Sequence, residues 1–232
     1  LFVDDGSTDA TLSLLRSLGE ERPGVHVLPL SPNRGKAEAV RAGMVHAIAR
    51  GALAVGYFDA DLATPAEEML RLHRTMVERD VMAAFGSRIR LLGRDISRPL
   101  VRHWLGRGFA TAASTTLRLP IYDTQCGAKW FRVDDTLRWA LSRAFMARWA
   151  FDVELIGRLL YPGGGCPPWH PSSIVEMPLR QWTDVEGSRV TRRAFLRAGL
   201  DLSLIALDLE RRRRRLNRAS PEAVDTAAGA PT

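Results

Sequence analysis

Residues 53–61 read Leu-Ala-Val-Gly-Tyr-Phe-Asp-Ala-Asp. The unbroken apolar run Leu53–Phe58 is the pattern of a strand covered on both faces, as in a parallel sheet. Its neighbours fit that reading. Val40, Met44, Ala47 and Ile48 fall on one face of a helix over Lys36–Arg50, which Gly51 stops. Pro65 opens a second helix over Pro65–Arg79. Further out, Val81–Gly86, Val25–Leu28 and Leu1–Val3 read as strands, and Thr8–Leu18 as a helix with Leu12, Leu15 and Leu18 three apart. Strand and helix alternate throughout. That order implies an α/β fold with a Rossmann-like, mostly parallel sheet flanked by helices. Ligands of such sheets bind beyond the carboxyl ends of the strands. Asp4, Asp5, Asp59, Asp61, Ser87 and Arg88 all fall at such ends.

Beyond Arg88 the alternation weakens. Leu100–Thr116, Asp134–Ala144 and Phe151–Leu160 read as helices, Asp123–Arg132 as a loop entering a strand, and Pro162–Pro171 as a Gly- and Pro-rich loop. Ile174–Leu179 reads as a strand. Arg192–Leu216 reads as a long basic amphipathic helix with Phe195, Leu196, Leu200, Leu204 and Leu207 as its apolar positions. The remainder is small and polar, with the composition of a disordered tail.

Bulk properties narrow the function. The chain has 232 residues, 46% hydrophobic and 25% charged, which suits one soluble α/β domain with extensions. The net charge of +7 calls for an anionic partner: nucleic acid, a phosphorylated small molecule or an anionic membrane surface. Arg211–Arg215 is an unbroken arginine run. No RNA- or DNA-binding motif is present and aromatics are not interleaved with the basic residues, which argues against nucleic acid. Cys126 and Cys166 show no CxxC spacing, so a disulfide framework is not expected and a reducing compartment is. There is no run of 18 apolar residues and no signal peptide. The chain opens inside a strand on Leu1, so a truncated N-terminus is expected.

Several constellations carry chemistry. Asp59 and Asp61 can together reach one hard cation, Mg²⁺ or Mn²⁺, that also bridges a diphosphate; solvated loop carboxylates are the alternative. Asp4 and Asp5 can accept hydrogen bonds from ribose hydroxyls or a base N–H, while Ser7, Thr8 and Asp9 suit helix capping. Asn33-Arg34-Gly35-Lys36 opens a helix, where a lysine beside free N–H groups suits phosphate, with a solvated basic turn as the alternative. It lacks P-loop spacing. Trp182 suits either stacking on a sugar or lipid or plain packing. Cys126 reads as a packed small residue, and His73 and His103 carry no assigned role.

Taken together, VDDGSTD (3–9), NRGKAEAVRAGM (33–44), FDADLATP (58–65), AFGSR (84–88), DTQCGAKWFR (123–132), FDVEL (151–155) and GSRV (187–190) closely resemble family 2 glycosyltransferases. The resemblance spans residues 1 to 205, in the family's order, and is strongest to the branch that glucosylates dolichyl or polyprenyl phosphate. It implies a GT-A fold, a UDP-sugar donor and inversion at the anomeric carbon. By position, Asp4 and Asp5 would hold the nucleoside and Lys36 would lie near the donor. Asp59 and Asp61 would hold the metal and diphosphate. Asp123, Gln125 and Lys129 would line the sugar and acceptor pocket. Asp152 and Glu154 fall where the family places a catalytic carboxylate. Family members begin with an earlier strand and helix that complete the nucleotide pocket, often after a membrane anchor.

The implied division is a catalytic domain over 1–190, a basic amphipathic helix over 191–217 and a tail over 218–232. The implied reaction is hexose transfer, glucose first, from the UDP-sugar to a polyprenyl phosphate at the cytoplasmic face of a membrane. Arg88, Arg132 and Arg189 are the candidates to position that phosphate, because arginine grips it bidentately. A saccharide hydroxyl acceptor, needing Asp152 as base, and an inactive fragment are the alternatives. The basic helix either lies on an anionic membrane surface or packs on the core with a solvated basic end.

Overall fold

The computed structural model describes residues 1–89, 91–93, 95–97, 100–183 and 192–219. Strand β1 (Phe2–Asp4) is followed by α1 (Thr11–Glu21), β2 (Val27–Pro29), α2 (Lys36–Ala49), β3 (Ala54–Phe58), α3 (Ala66–Glu78) and β4 (Ala83–Ser87). The alternation expected from the apolar runs is present. Next come β5 (Asp95–Ser97), α4 (Leu100–Leu117), β6 (Ala128–Arg132), α5 (Asp135–Leu141), α6 (Phe151–Leu160), β7 (Ile174–Pro178), β8 (Gln181–Thr183) and α7 (Arg192–Ala219).

Among the described residues the strands form three sheets: β1 pairs with β2 and β5 with β8, both parallel, and the four-stranded sheet β3-β6-β4-β7 is mixed, with β4 and β7 parallel. Both antiparallel pairings belong to β6, which lies between β3 and β4 in the order β3-β6-β4-β7. Because β6 runs against its neighbours, Ala128 sits beside Phe58 at the carboxyl edge and Arg132 beside Ala54 at the opposite edge. The loop before β6, rather than its far end, therefore reaches the expected ligand edge. Strands β5 and β8 were not legible in sequence. Each has three residues and a single apolar one, Ile96 and Trp182, which are partners in register.

The sheet separates two apolar layers. Phe85 and Phe131 point to one side, where they pack with residues of α2, α4, α5, α6 and α7. Ala84 and Ala128 point to the other, against Leu72 and Met76 of α3 and Trp182 of β8. Phe85, Phe131 and Leu72 are fully buried, a gain of about 1.5–3 kcal/mol each. Helix α1 has no buried residue, and neither Ser7 nor Thr8 caps it; the Asp9 carboxylate accepts from the Thr11 N–H at 3.0 Å. In α7 the core positions are Ala198, Leu202, Ile205 and Leu209. Leu200, Leu204 and Leu207, read from sequence as its apolar positions, are 66%, 55% and 58% exposed. Residues 220–232 of the expected tail lie outside the described residues, and Arg218 and Ala219 belong to α7. Among the described residues no helix is long and apolar enough to cross a membrane.

Candidate active site

The carboxyl ends of β1, β3 and β4, the start of α2 and the loop before β6 carry the candidate polar side chains. At the end of β1, Asp4 is buried; the Ser7 N–H donates to its Oδ2 at 3.3 Å, while its Oδ1 is buried without a hydrogen-bond partner among the described residues. Such an orphaned acceptor costs about 1–3 kcal/mol unless a ligand satisfies it. Asp5 has a different job. Its two oxygens accept the N–H groups of Arg34 and Gly35 at 2.8 and 2.7 Å, and Asn33 Nδ2 donates to its carbonyl at 2.6 Å. Asp5 thus staples the loop that opens α2. Gly35 holds φ 90°, the left-handed region that favours glycine.

At the end of β3, Lys36 Nζ lies 2.6 Å from Asp59 Oδ1. Asp61 Oδ1 accepts the Ala63 N–H at 3.0 Å. The Asp59 carboxyl is pressed onto Gly127 so closely that a Cβ there would lie 2.2 Å from its Cγ. The Asp59 N–H also donates to the Gly127 carbonyl at 3.0 Å.

Beyond β4, Arg88 grips Asp123 with two side-chain bonds, Nε to Oδ2 at 2.7 Å and Nη2 to Oδ1 at 2.8 Å. Burial pushes the Asp123 carboxyl up, but the Arg88 guanidinium outweighs it and holds the group well below the usual carboxylate range. Burial alone would lower Arg88; the charge of Asp123 keeps it firmly protonated. Glu176 fixes this loop from β7, accepting the Tyr122 and Asp123 N–H groups, both at 2.7 Å. The Arg88 guanidinium lies 5.4 Å from the ring centre of Trp182, which is otherwise packed in the core. Ser87 Oγ, Thr124 Oγ1 and Gln125 Nε2 are buried here without partners among the described residues.

Beneath this edge stands a buried polar post. Lys129 is fully buried, with Nζ 2.7 Å from Asp152 Oδ1 and 2.5 Å from the Cys126 carbonyl. The Tyr57 hydroxyl donates to the same Asp152 oxygen. Burial first, then the Asp152 charge, pushes the Tyr57 hydroxyl well above its ordinary value, so it stays protonated as a donor. Cys126 is fully buried, and burial pushes its thiol up to about 12.

The structure thus brings together Asp4, Asp5, Lys36, Asp59, Asp61, Arg88, Asp123 and Gln125 at one edge. It separates three others from that edge. Arg132 lies at the opposite edge and pairs with Asp80 at 2.9 Å, because β6 is antiparallel. Lys129 spends its ammonium on Asp152 and a backbone carbonyl, inside the core rather than in an open pocket. Glu154 is buried against Arg158 at 2.6 Å and accepts the Ala147 N–H, a structural pairing. Arg189 lies outside the described residues. Tyr57, Thr124, Gly127 and Glu176 were missed. Only Tyr57, polar-tipped within an apolar strand, carried a local signal.

The architecture is that of a GT-A glycosyltransferase. It is similar to the crystal structure of glucosyl-3-phosphoglycerate synthase from Mycobacterium tuberculosis in complex with UDP, with TM-score 0.58 and 15% identity over 88% of this chain and 67% of that one. The chain belongs to glycosyl transferase family 2, whose model matches residues 1–137. It is 33% identical over 218 residues to a dolichyl-phosphate beta-glucosyltransferase of Drosophila melanogaster, covering 88% of this chain and 62% of that one. It is 31% identical over 201 residues to the Dictyostelium discoideum protein of the same name, covering 82% and 56%. A 74-residue stretch is 45% identical to an undecaprenyl-phosphate 4-deoxy-4-formamido-L-arabinose transferase of Enterobacter sp. (strain 638), covering 31% of this chain and 21% of that one. The chain spans about three fifths of the length of the dolichyl-phosphate relatives.

Proposed function

We propose that this chain carries the transferase site for moving a hexose, glucose first, from a UDP-sugar to a polyprenyl or dolichyl phosphate. The observation that carries the reading is the set of polar groups at the strand ends: an Asp4 oxygen without a hydrogen-bond partner among the described residues, and the Lys36 ammonium held 2.6 Å from Asp59, two residues before Asp61. Asp4 Oδ1 accepts from a ribose hydroxyl or base N–H. Lys36, half-exposed, turns its charge to the diphosphate.

Asp59 and Asp61 are hard oxygen donors that fit Mg²⁺ or Mn²⁺. Among the described residues no cluster of three His, Cys, Asp or Glu is close enough to hold a metal, so diphosphate oxygens and water would supply the remaining ligands. A divalent cation held by Asp59 and Asp61 would supply positive charge to offset the negative charge gathering on the departing UDP. Gln125 Nε2, buried without an acceptor among the described residues, suits a sugar hydroxyl or phosphate oxygen. Arg88, fixed by Asp123, presents a permanent positive charge beside it.

The acceptor phosphate, with a second pKa of about 6, is largely dianionic at neutral pH and attacks without a general base. Attack from the side opposite UDP inverts the anomeric carbon. Asp152, enclosed by Tyr57 and Lys129, therefore serves by position rather than by taking a proton. An isoprenoid acceptor places the reaction at a membrane surface, on its cytoplasmic face.

Calorimetric titration of UDP with and without Mn²⁺, on wild type and Asp61→Ala, tests this. Metal-dependent binding that disappears in Asp61→Ala is expected, followed by transfer to polyprenyl phosphate. Equal binding without metal would overturn the metal assignment. No UDP binding, here and in a longer chain, would overturn the transferase reading.

A further inference from the structure

We propose that the outer face of α7 docks flat on an anionic lipid surface. A helix that packs on a core needs one apolar stripe, and α7 has two. At about 100° per residue, Ala198, Leu202, Ile205 and Leu209 form the buried one, and Leu200, Leu204 and Leu207 lie on the opposite side. Those three leucines are each more than half exposed.

The same projection puts Arg197, Arg211, Arg215 and Arg218 on the leucine side, all exposed. The three acids of the described helix fall on its flanks and are engaged: Asp208 with Arg212 at 2.5 Å, Glu210 with Arg214 at 3.2 Å, and Asp201 with the Trp149 N–H at 3.3 Å. No carboxylate interrupts the outer stripe. Trp149 itself borders it, 40% exposed, its ring edge-on to Phe109 at 4.9 Å. An apolar stripe bracketed by arginines, with a tryptophan at its margin, matches the depth profile of a lipid interface.

Other occupants fit less of this. A symmetric pairing of two copies about Leu204 would set Arg197 of one against Arg211 of the other. Nucleic acid would use the arginines and leave the leucines in water. The lipid surface uses both. The proposal extends the reading of a lipid acceptor, and its test does not depend on that reading.

The test is co-sedimentation of the full chain with vesicles of phosphatidylcholine alone and of phosphatidylcholine mixed with phosphatidylglycerol. Salt-sensitive binding to the mixed vesicles is expected. Leu200→Ser/Leu204→Ser/Leu207→Ser should weaken it at least about tenfold. Arg211→Gln/Arg215→Gln/Arg218→Gln should weaken it by about fivefold per arginine, on mixed vesicles only. UDP titration should be unchanged in both variants, which separates docking from the donor site. Absence of vesicle binding in the wild type, or equal binding by both variants, would overturn the proposal. So would a dimer in light scattering that the serine variant disperses, since the face would then join two copies.

Discussion

Gly127→Ala isolates the placement of one carboxylate. The added methyl would lie 2.2 Å from Asp59 Cγ, whereas carbon contacts settle near 3.5 Å, so the carboxyl must retreat by more than about 1 Å. That movement breaks the 2.6 Å contact between Asp59 and Lys36. The lost pair is half-exposed, worth about 0–1 kcal/mol, so the urea midpoint should barely move. Positioning responds more steeply: a shift near 1 Å costs about a hundredfold in a preorganised site. The expected outcome is UDP–Mn²⁺ affinity and turnover reduced on the order of a hundredfold in a protein of nearly unchanged stability. Gly108→Ala is the control. It lies in α4 with nothing among the described residues within 4 Å of its would-be Cβ, and should leave binding alone while stabilising the helix by about 0.5–1 kcal/mol. A Gly127→Ala protein that binds UDP–Mn²⁺ like wild type would refute the idea that Gly127 sets Asp59.

Two further outcomes follow from the buried charges. Lys129→Met leaves the Asp152 carboxylate unpaired in the core and should destabilise the chain by about 3–5 kcal/mol in urea melts, with Lys129→Met/Asp152→Asn recovering part of the loss. Equal stability of the single and double variants would contradict this. For Asp123, whose folded pKa is held below its unfolded value, the stabilisation is complete above the unfolded carboxyl pKa of about 4 and is lost as pH falls from there toward the lower folded value. Asp123→Asn should therefore trail wild type in thermal melts at neutral pH by a margin that narrows below about pH 4. A margin independent of pH would argue against the ion pair as its source.

The parts of this molecule that were legible before its structure are the local ones. The run Leu53–Phe58 identified β3 to within one residue, and Phe151–Leu160 matched α6 at both ends. That Asp59 and Arg88 end up on one edge followed from topology, since the carboxyl ends of β3 and β4, which run the same way, share an edge. Strand direction is not written in a five-residue segment such as Ala128–Arg132, so nothing local told that Arg132, a candidate to position the acceptor phosphate, lies beside Ala54 at the opposite edge. The contact of Asp59 with Gly127 joins segments far apart in sequence, and no local pattern announces it. Lys129 did leave a trace: it alternates with Phe131 on the core-facing side of β6, a place where lysine survives only with a partner. For α7, period alone could not say which of two leucine-bearing stripes turns inward.

The two cysteines have a practical consequence. With its thiol shifted to about 12 and no exposed surface, Cys126 stays protonated and shielded near neutral pH. Cys166 is partly exposed, in the loop that leads into the amino end of β7, on the far side of the sheet from Asp59. A maleimide should therefore label this chain once, without mutagenesis. A molecule tethered to a sensor chip through that sulfur would present its carboxyl edge outward, every copy in the same orientation, ready for donor and acceptor to be delivered in turn.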